Sequence, residues 1–280
     1  MTTQRFAGKV AIITGSSSGI GQATAVQLSR DGAKVTITGR NSEKLEETKK
    51  IIVSSGGNPE NIIIVVGDIT DANIMKMIVD STIQKFGRLD ILINNAGAAF
   101  MDPDGIIGSQ VNMDVFEKTF QLNLKAVVQL IQLCRSHLIA SKGEIVNVSS
   151  IAAGPQVFPF YTFYGMAKAA LDQLTRCLAL EMIQYGVRVN SVSPGLIQTG
   201  FLNALGMENG DVAKAQTFFG EHRDCIPIGF VGTAEHVATL ITFLADRNSS
   251  HFIIGQSIVV DGGTSLVVGM AAHEMKDVLG

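Results

Sequence analysis

The 280-residue sequence is short of charge: Asp, Glu, Lys and Arg make up 17% of it, against about 25% in an average soluble domain. Neither sign dominates, with 22 Lys plus Arg against 25 Asp plus Glu and a net charge of -3. That excludes an overall basic footprint for nucleic acid or anionic lipid. Cysteine is scarce as well. Cys134, Cys177 and Cys225 are odd in number and far apart, which argues against a disulfide framework or a zinc site. The histidines form no HxxxH pair. No apolar run approaches the roughly 18 residues of a membrane span. The start MTTQRFAGKV has no apolar leader core, and Val278-Leu279-Gly280 is not a peroxisomal SKL address. A reduced, soluble protein is expected, in the cytoplasm, with neither nucleic acid nor membrane as partner.

Apolar residues are what the chain has in quantity. It is 46% hydrophobic with a mean hydropathy of +0.29, which excludes a disordered tail. Such a chain hides its surplus in a sheet covered on both faces or between subunits. Continuously apolar, β-branched runs stand at 10–14, 35–38, 62–66, 91–94, 145–149, 189–193 and 257–260. Helical patterns lie between them near 20–30, 42–54, 71–86, 114–140, 164–184 and 234–245. Repeated βα alternation predicts an α/β fold: one Rossmann-type, doubly wound parallel sheet of about seven strands, flanked by helices. No linker or shift in composition divides the chain, so 1–280 reads as a single domain. Segments 98–112 and 200–232 break the alternation, and each follows the C-terminal end of a strand, where open α/β sheets bind ligands. The second is the candidate substrate lid.

The first strand runs into Thr14-Gly15-Ser16-Ser17-Ser18-Gly19-Ile20-Gly21 and then a helix. Gly15 permits a tight turn, Gly19 lets the backbone approach a pyrophosphate, and Gly21 allows close packing of helix on strand. The helix start behind them offers free N–H groups and a positive dipole end to phosphates. The strand before and the helix after are the context such a nucleotide site requires.

This TGxxxGxG spacing resembles the short-chain dehydrogenase/reductase family, and the resemblance continues in order along essentially the whole chain. Asp68 follows the third strand, Asn94-Asn95-Ala96-Gly97 the fourth, and Asn123 sits in the next helix. Then come Ser149-Ser150, Tyr164-x-x-x-Lys168, Pro194-Gly195 with Thr199, and VVDGG at 259–263. The resemblance implies a nicotinamide dinucleotide lying over Gly15, Ser17, Ser18, Gly19, Ile20 and Gly21. It implies Asp68 and the Ile69 backbone at the adenine, with Asn95, Ala96 and Gly97 alongside. Thr14, Asn94 and the Asn95 side chain would brace the glycine loop. At the nicotinamide end it implies Pro194, Gly195, Ile197 and Thr199, with a short Ser/Thr turn as the plainer use of Thr199, and tropinone-reductase-like and glucose-dehydrogenase-like branches carry similar motifs.

NAD-specific members of the family commonly end the second strand with Asp. Here that position is Gly39, followed by Arg40 and Asn41. Without a carboxylate to repel a 2′-phosphate, and with a guanidinium able to grip it, NADP(H) is expected over NAD(H).

Tyr164 and Lys168 lie four apart among good helix formers, so both side chains share one face. The ammonium, together with the positive charge of an oxidised nicotinamide, is expected to lower the phenol from its ordinary value near 10, fitting Tyr164 for general acid–base work. Ser150 is expected to hold the substrate oxygen, with Ser149 a competitor, and Asn123 to hold a relay water by resemblance. The Ser150–Tyr164 interval is one residue longer than the family's. Tyr161, seven residues from Lys168, is the weaker base. Phe158, Phe160, Phe201, Leu202, Leu205, Met207, Phe218 and Phe219 suggest an apolar wall, and each could equally be core or interface. A small or medium apolar ketone or secondary alcohol is the expected substrate. Two alternatives stand: a 3-oxoacyl carrier-protein reductase, needing a basic patch where only Lys125, Arg135 and Lys142 are scattered, and an idle nucleotide-binding regulator. The helix after Tyr164 is apolar around much of its girth, which predicts a homo-oligomer, a dimer or tetramer. The tail TSLVVGMAAHEMKDVLG is a candidate cover for a neighbouring subunit's pocket.

Overall fold

A computed structural model describes residues 4–267. The tail beyond Val267, on which an expectation was placed above, lies outside the described residues. The strands are β1 (Val10–Ile13), β2 (Lys34–Gly39), β3 (Ile62–Val66), β4 (Ile91–Asn94), β5 (Glu144–Val148), β6 (Arg188–Pro194), β7 (Ile197–Gln198), β8 (Gly232–Thr233) and β9 (Ser257–Val260). Seven of them form one parallel sheet in the order β3-β2-β1-β4-β5-β6-β9. The order reverses between β1 and β4, which opens a crevice at their C-terminal ends. The other two, β7 and β8, pair as a small parallel ribbon, too short for periodicity to reveal.

Alternate residues of a strand point to opposite faces, and here both faces are covered. Ile13, Ile91 and Ile93 face one cluster, with Leu28 of α1 (Gly19–Arg30) and Leu45 of α2 (Ser42–Ser54). Ile12 and Leu92 face the other, with Ile78 of α3 (Ala72–Phe86). The long pattern at 114–140 folds as α4 (Met113–Phe120), a π-helical turn (Gln121–Lys125) and α5 (Ala126–Ser141). Beyond it stands α6 (Thr162–Met182), which buries Ala167, Leu171 and Met182 on the sheet. Its opposite flank leaves Leu180 80% exposed and Met166 half exposed. Segment 200–232 contains α7 (Phe201–Ala204) and α8 (Asn209–Glu221), and α9 (Ala234–Ala245) then packs against α1, followed by α10 (Arg247–Ser250). Among the described residues no helix is long and apolar enough to cross a membrane.

The sheet end away from the crevice is tied by a buried ionic knot. Arg188, 2% exposed, meets Glu144 at 2.9 Å and donates to the carbonyls of Leu244 (2.8 Å) and Ser250 (2.7 Å). Arg247 reaches the other Glu144 oxygen at 2.7 Å and also donates to the Gly186 carbonyl. Removing Arg188 leaves the buried Glu144 with Arg247 as its one cation among the described residues and strands the Leu244 and Ser250 carbonyls. Arg188→Met is therefore expected to cost about 3–5 kcal/mol, read as a lower urea midpoint. An unchanged midpoint would show the knot to be dispensable.

Candidate active site

The crevice is one elongated cavity of about 1340 Å³. At its floor the backbone of Gly15 is left-handed (φ 64°), and a Cβ on Gly21 would sit 2.4 Å from the Gly15 carbonyl oxygen and the Asn95 amide nitrogen. Both positions therefore require glycine. The loop is braced as expected: Asn95 Nδ2 donates to the carbonyls of Thr14 (2.8 Å) and Gly15 (3.0 Å), and Thr14 Oγ1 accepts from the backbone N–H of Asn95 and Ala96. Asn94, expected to share in this bracing, instead donates across to Asn147 of β5 at 2.8 Å. Ser18 precedes α1 without capping it, and no acidic side chain occupies its first turn. Its leading N–H groups thus face the cavity beside Ser17 and Gly19, a cradle suited to phosphate.

Arg40, Asp68 and Ile69 line one end of the cavity, and Ala96 and Gly97 the middle. Asp68 is held below its ordinary value chiefly by the Thr70 backbone N–H, which it accepts at 2.8 Å. The helix cap beside it is Asp71, accepting from Asn73 N–H. Two cofactor candidates are not in the wall. Gly21 lies beneath it, and Asn41 spends its carboxamide on capping α2, accepting from Lys44 N–H at 2.9 Å. Lys44 itself lines the cavity, a second cationic residue in the wall with Arg40. Its signal was legible, one helical turn beyond Arg40.

The other end gathers Ser150, Tyr164, Lys168, Pro194, Gly195 and Thr199. Ser149 is buried, with its hydroxyl 3.4 Å from the Lys168 carbonyl. Ser150 caps the short turn Ile151–Ala153, accepting from Ala152 N–H at 3.1 Å, and its hydroxyl interacts with the Tyr164 phenol. Lys168 Nζ lies 5.6 Å from the Tyr164 ring centre and donates to the Val148 carbonyl at 2.8 Å. Burial lowers Lys168 to about 8, with Asp172 one turn on pulling the other way. Burial likewise pushes the Tyr164 phenol up to about 12, with Ser150 opposing. Among the chain's own groups the ammonium does not lower the phenol as expected: it is directed at a carbonyl, and desolvation wins, which leaves any lowering to the charge of an oxidised nicotinamide. Tyr161 is in the wall too, and burial raises it as well.

Asn123 is fully buried on the π-helical turn and is not in the wall. Its amide donates to the carbonyls of Ala98 (2.8 Å) and Thr119 (2.9 Å), and its oxygen accepts from Ala98 N–H (3.2 Å). It stands behind Gly97, where a Cβ would come within 2.7 Å of Asn123 Oδ1 and 3.1 Å of Lys168 Nζ. Thr199 forms the short turn weighed above, accepting from Phe201 N–H at 3.3 Å, while Ile197 lies beside it in the wall. Of the apolar wall candidates, Phe158, Phe160, Phe201, Leu202 and Phe219 line this end. Leu205, Met207 and Phe218 do not, and Phe218 stacks outward on His222 at 3.9 Å. Helix periodicity alone cannot tell which face of so short a helix meets a cavity.

A family model described as enoyl-(acyl carrier protein) reductase matches residues 15–265. The chain belongs to the short-chain dehydrogenase/reductase family, oxidoreductases that use a nicotinamide cofactor on CH–OH and C=O groups of small molecules. It is 34% identical over 267 residues to "Tropinone reductase-like 3" of Erythroxylum coca, covering 94% of this chain and 96% of that protein. Two solved structures from Caenorhabditis elegans are also similar. One, a short-chain dehydrogenase/reductase of unknown function with cofactor, is 52% identical at TM-score 0.95, covering 96% of this chain and 100% of the other. The second, a glucose dehydrogenase in the apo form, is 46% identical at TM-score 0.81, covering 94% and 100%.

Proposed function

We propose that this enzyme moves a hydride between NADP(H) and an apolar ketone or the corresponding secondary alcohol. The observation that carries the reading is one cavity with Arg40 and Lys44 at one end and Ser150, Tyr164 and Lys168 at the other. The two cations suit a 2′-phosphate, with no carboxylate at Gly39 to repel it. The bound nicotinamide supplies or accepts the hydride at the substrate carbon. Tyr164, still protonated at neutral pH, gives its proton to the carbonyl oxygen in reduction. Ser150 donates a hydrogen bond to that oxygen as charge gathers on it. Lys168, whose ammonium donates to the Val148 carbonyl, would hold the nicotinamide ribose of a bound cofactor and stabilise the phenolate left behind. Asn123 acts by position, its amide spent on Ala98 and Thr119 and so fixing the backbone at Ala98.

Phe158, Phe201, Leu202 and Phe219 favour an apolar substrate body. A carrier-protein partner is less suited, because Arg135 is already paired with Glu181 at 3.1 Å. An idle regulator would have no use for a Tyr164–Lys168 pair in the cavity wall. Segment 200–232 serves as the lid in this reading. The exposed Leu180 and Met166 of α6, with Leu133 of α5, favour a homo-oligomer.

The test is NADPH oxidation with benzylacetone across pH 6 to 10. Lys168, lowered to about 8, is charged below that value and neutral above it. Reduction is expected to hold steady below pH 8 and fall by up to about tenfold per pH unit above it. Unfolding is not the cause expected from this group: between pH 8 and its ordinary value of 10.5 the folded state binds fewer protons than the unfolded one, so its contribution to stability rises with pH. A rate flat to pH 10 would remove Lys168 from the proposed role.

A further inference from the structure

Three segments distant in sequence close the catalytic end of the cavity. Gln156 and Phe158 come from the loop before α6, Cys225 and Ile226 from the turn after α8, and Thr264 and Val267 from the segment after β9. The last of these folds on itself. The Asp261 carboxylate accepts from Gly263 N–H (2.9 Å) and Ser265 N–H (2.6 Å), and Leu266 N–H donates to the Gly263 carbonyl. Gly262 joins it to the second segment, accepting from Ile228 N–H at 3.1 Å. Among the described residues, one hydrogen bond joins 264–267 to the first segment: Gln156 Nε2 donates to the Ser265 carbonyl at 2.9 Å. Because the acceptor is a carbonyl, the nitrogen of the amide has to face it, which fixes the side chain's orientation.

We infer that Gln156 is a positioning residue for the substrate, its amide pinning the segment after β9 as the third wall of the ketone pocket. This rests on reading the cavity as a ketone site. Ser150 and Tyr164 are held by other contacts, so loosening the wall alters how a bulky substrate is gripped without altering proton transfer. A ketone too small to reach the wall is indifferent to it.

The test compares Gln156→Glu and Gln156→Ala with the unaltered enzyme, using NADPH with benzylacetone and with acetone. Glu keeps the size of Gln but has no N–H for the Ser265 carbonyl. Both variants are expected to raise KM for benzylacetone by about tenfold, the worth of one hydrogen bond, with kcat and the KM for acetone within twofold. Amide hydrogen exchange of 262–267 is expected to quicken by about tenfold in both variants, while that of β9 stays unchanged. Equal effects on the two ketones, a loss confined to kcat, or unchanged exchange would each overturn the proposal. If the unaltered enzyme binds NADPH and reduces neither ketone, the ketone reading and the substrate role both fall. Unchanged exchange in an enzyme that does reduce benzylacetone overturns the role of Gln156 alone.

Discussion

Replacing Tyr164 by Phe is expected to lower the turnover of ketone reduction by about 10²–10⁴-fold, the range found when a positioned general acid is lost. The ring remains, so its contact with Phe201, 5.8 Å between centres, is kept and the fold is not expected to suffer. Removing a buried phenol whose deprotonation is already disfavoured changes no charge at neutral pH. The affinity for NADPH, followed by nicotinamide fluorescence, should therefore stay within about twofold, because the adenosine end is untouched. Activity within tenfold of the parent would transfer the proton to another group, Tyr161 first, since it shares the wall.

The second large effect is on the choice of cofactor. Gly39→Asp combined with Arg40→Ala exchanges a phosphate-binding cation for a carboxylate at the same end of the cavity. A hydrogen bond to a charged group contributes about 1.5–3 kcal/mol, so losing one and adding repulsion should move the NADPH/NADH affinity ratio by about a hundredfold or more, toward NADH. The new side chain needs a small adjustment. A Cβ on Gly39 would lie 3.1 Å from the Ser17 hydroxyl and 3.2 Å from the Ser17 Cβ, so Ser17 must give by a few tenths of an ångström. Lys44→Ala should shift the ratio in the same direction by less. Fluorescence titration with both cofactors measures all three proteins, and a ratio that did not move would end the case for Arg40 and Lys44 as a phosphate clamp.

Much of the fold was legible because buried parallel strands are written as continuous apolar runs. All seven strands of the main sheet lie where such runs predicted them, and the long helices begin and end within a few residues of their patterns. Where periodicity was uninformative, the reading stopped. Segment 200–232 mixes turn residues with two short helices, too brief for periodicity to say which of their apolar side chains face the cavity. The pattern at 114–140 reads as one helix, and the π-helical turn that swings Asn123 behind Gly97 left no mark on it.

By itself the sequence determined the glycine turn, the order of the strands along the chain, the shared face of Tyr164 and Lys168, and the absence of an acid after β2. These are local: a missing Cβ, a period, a spacing of four, a charge that is or is not there. Tertiary structure decided the rest. It set Ser150 against the phenol and turned the Ser149 hydroxyl to the Lys168 carbonyl, brought Lys44 into the cavity wall with Arg40, and turned Asn41 to a helix cap. It joined Gln156 to Ser265 across 109 positions. It also set the Tyr164 phenol above its ordinary value among the chain's own groups, because desolvation depends on everything packed around a group, and no stretch of neighbouring residues states that.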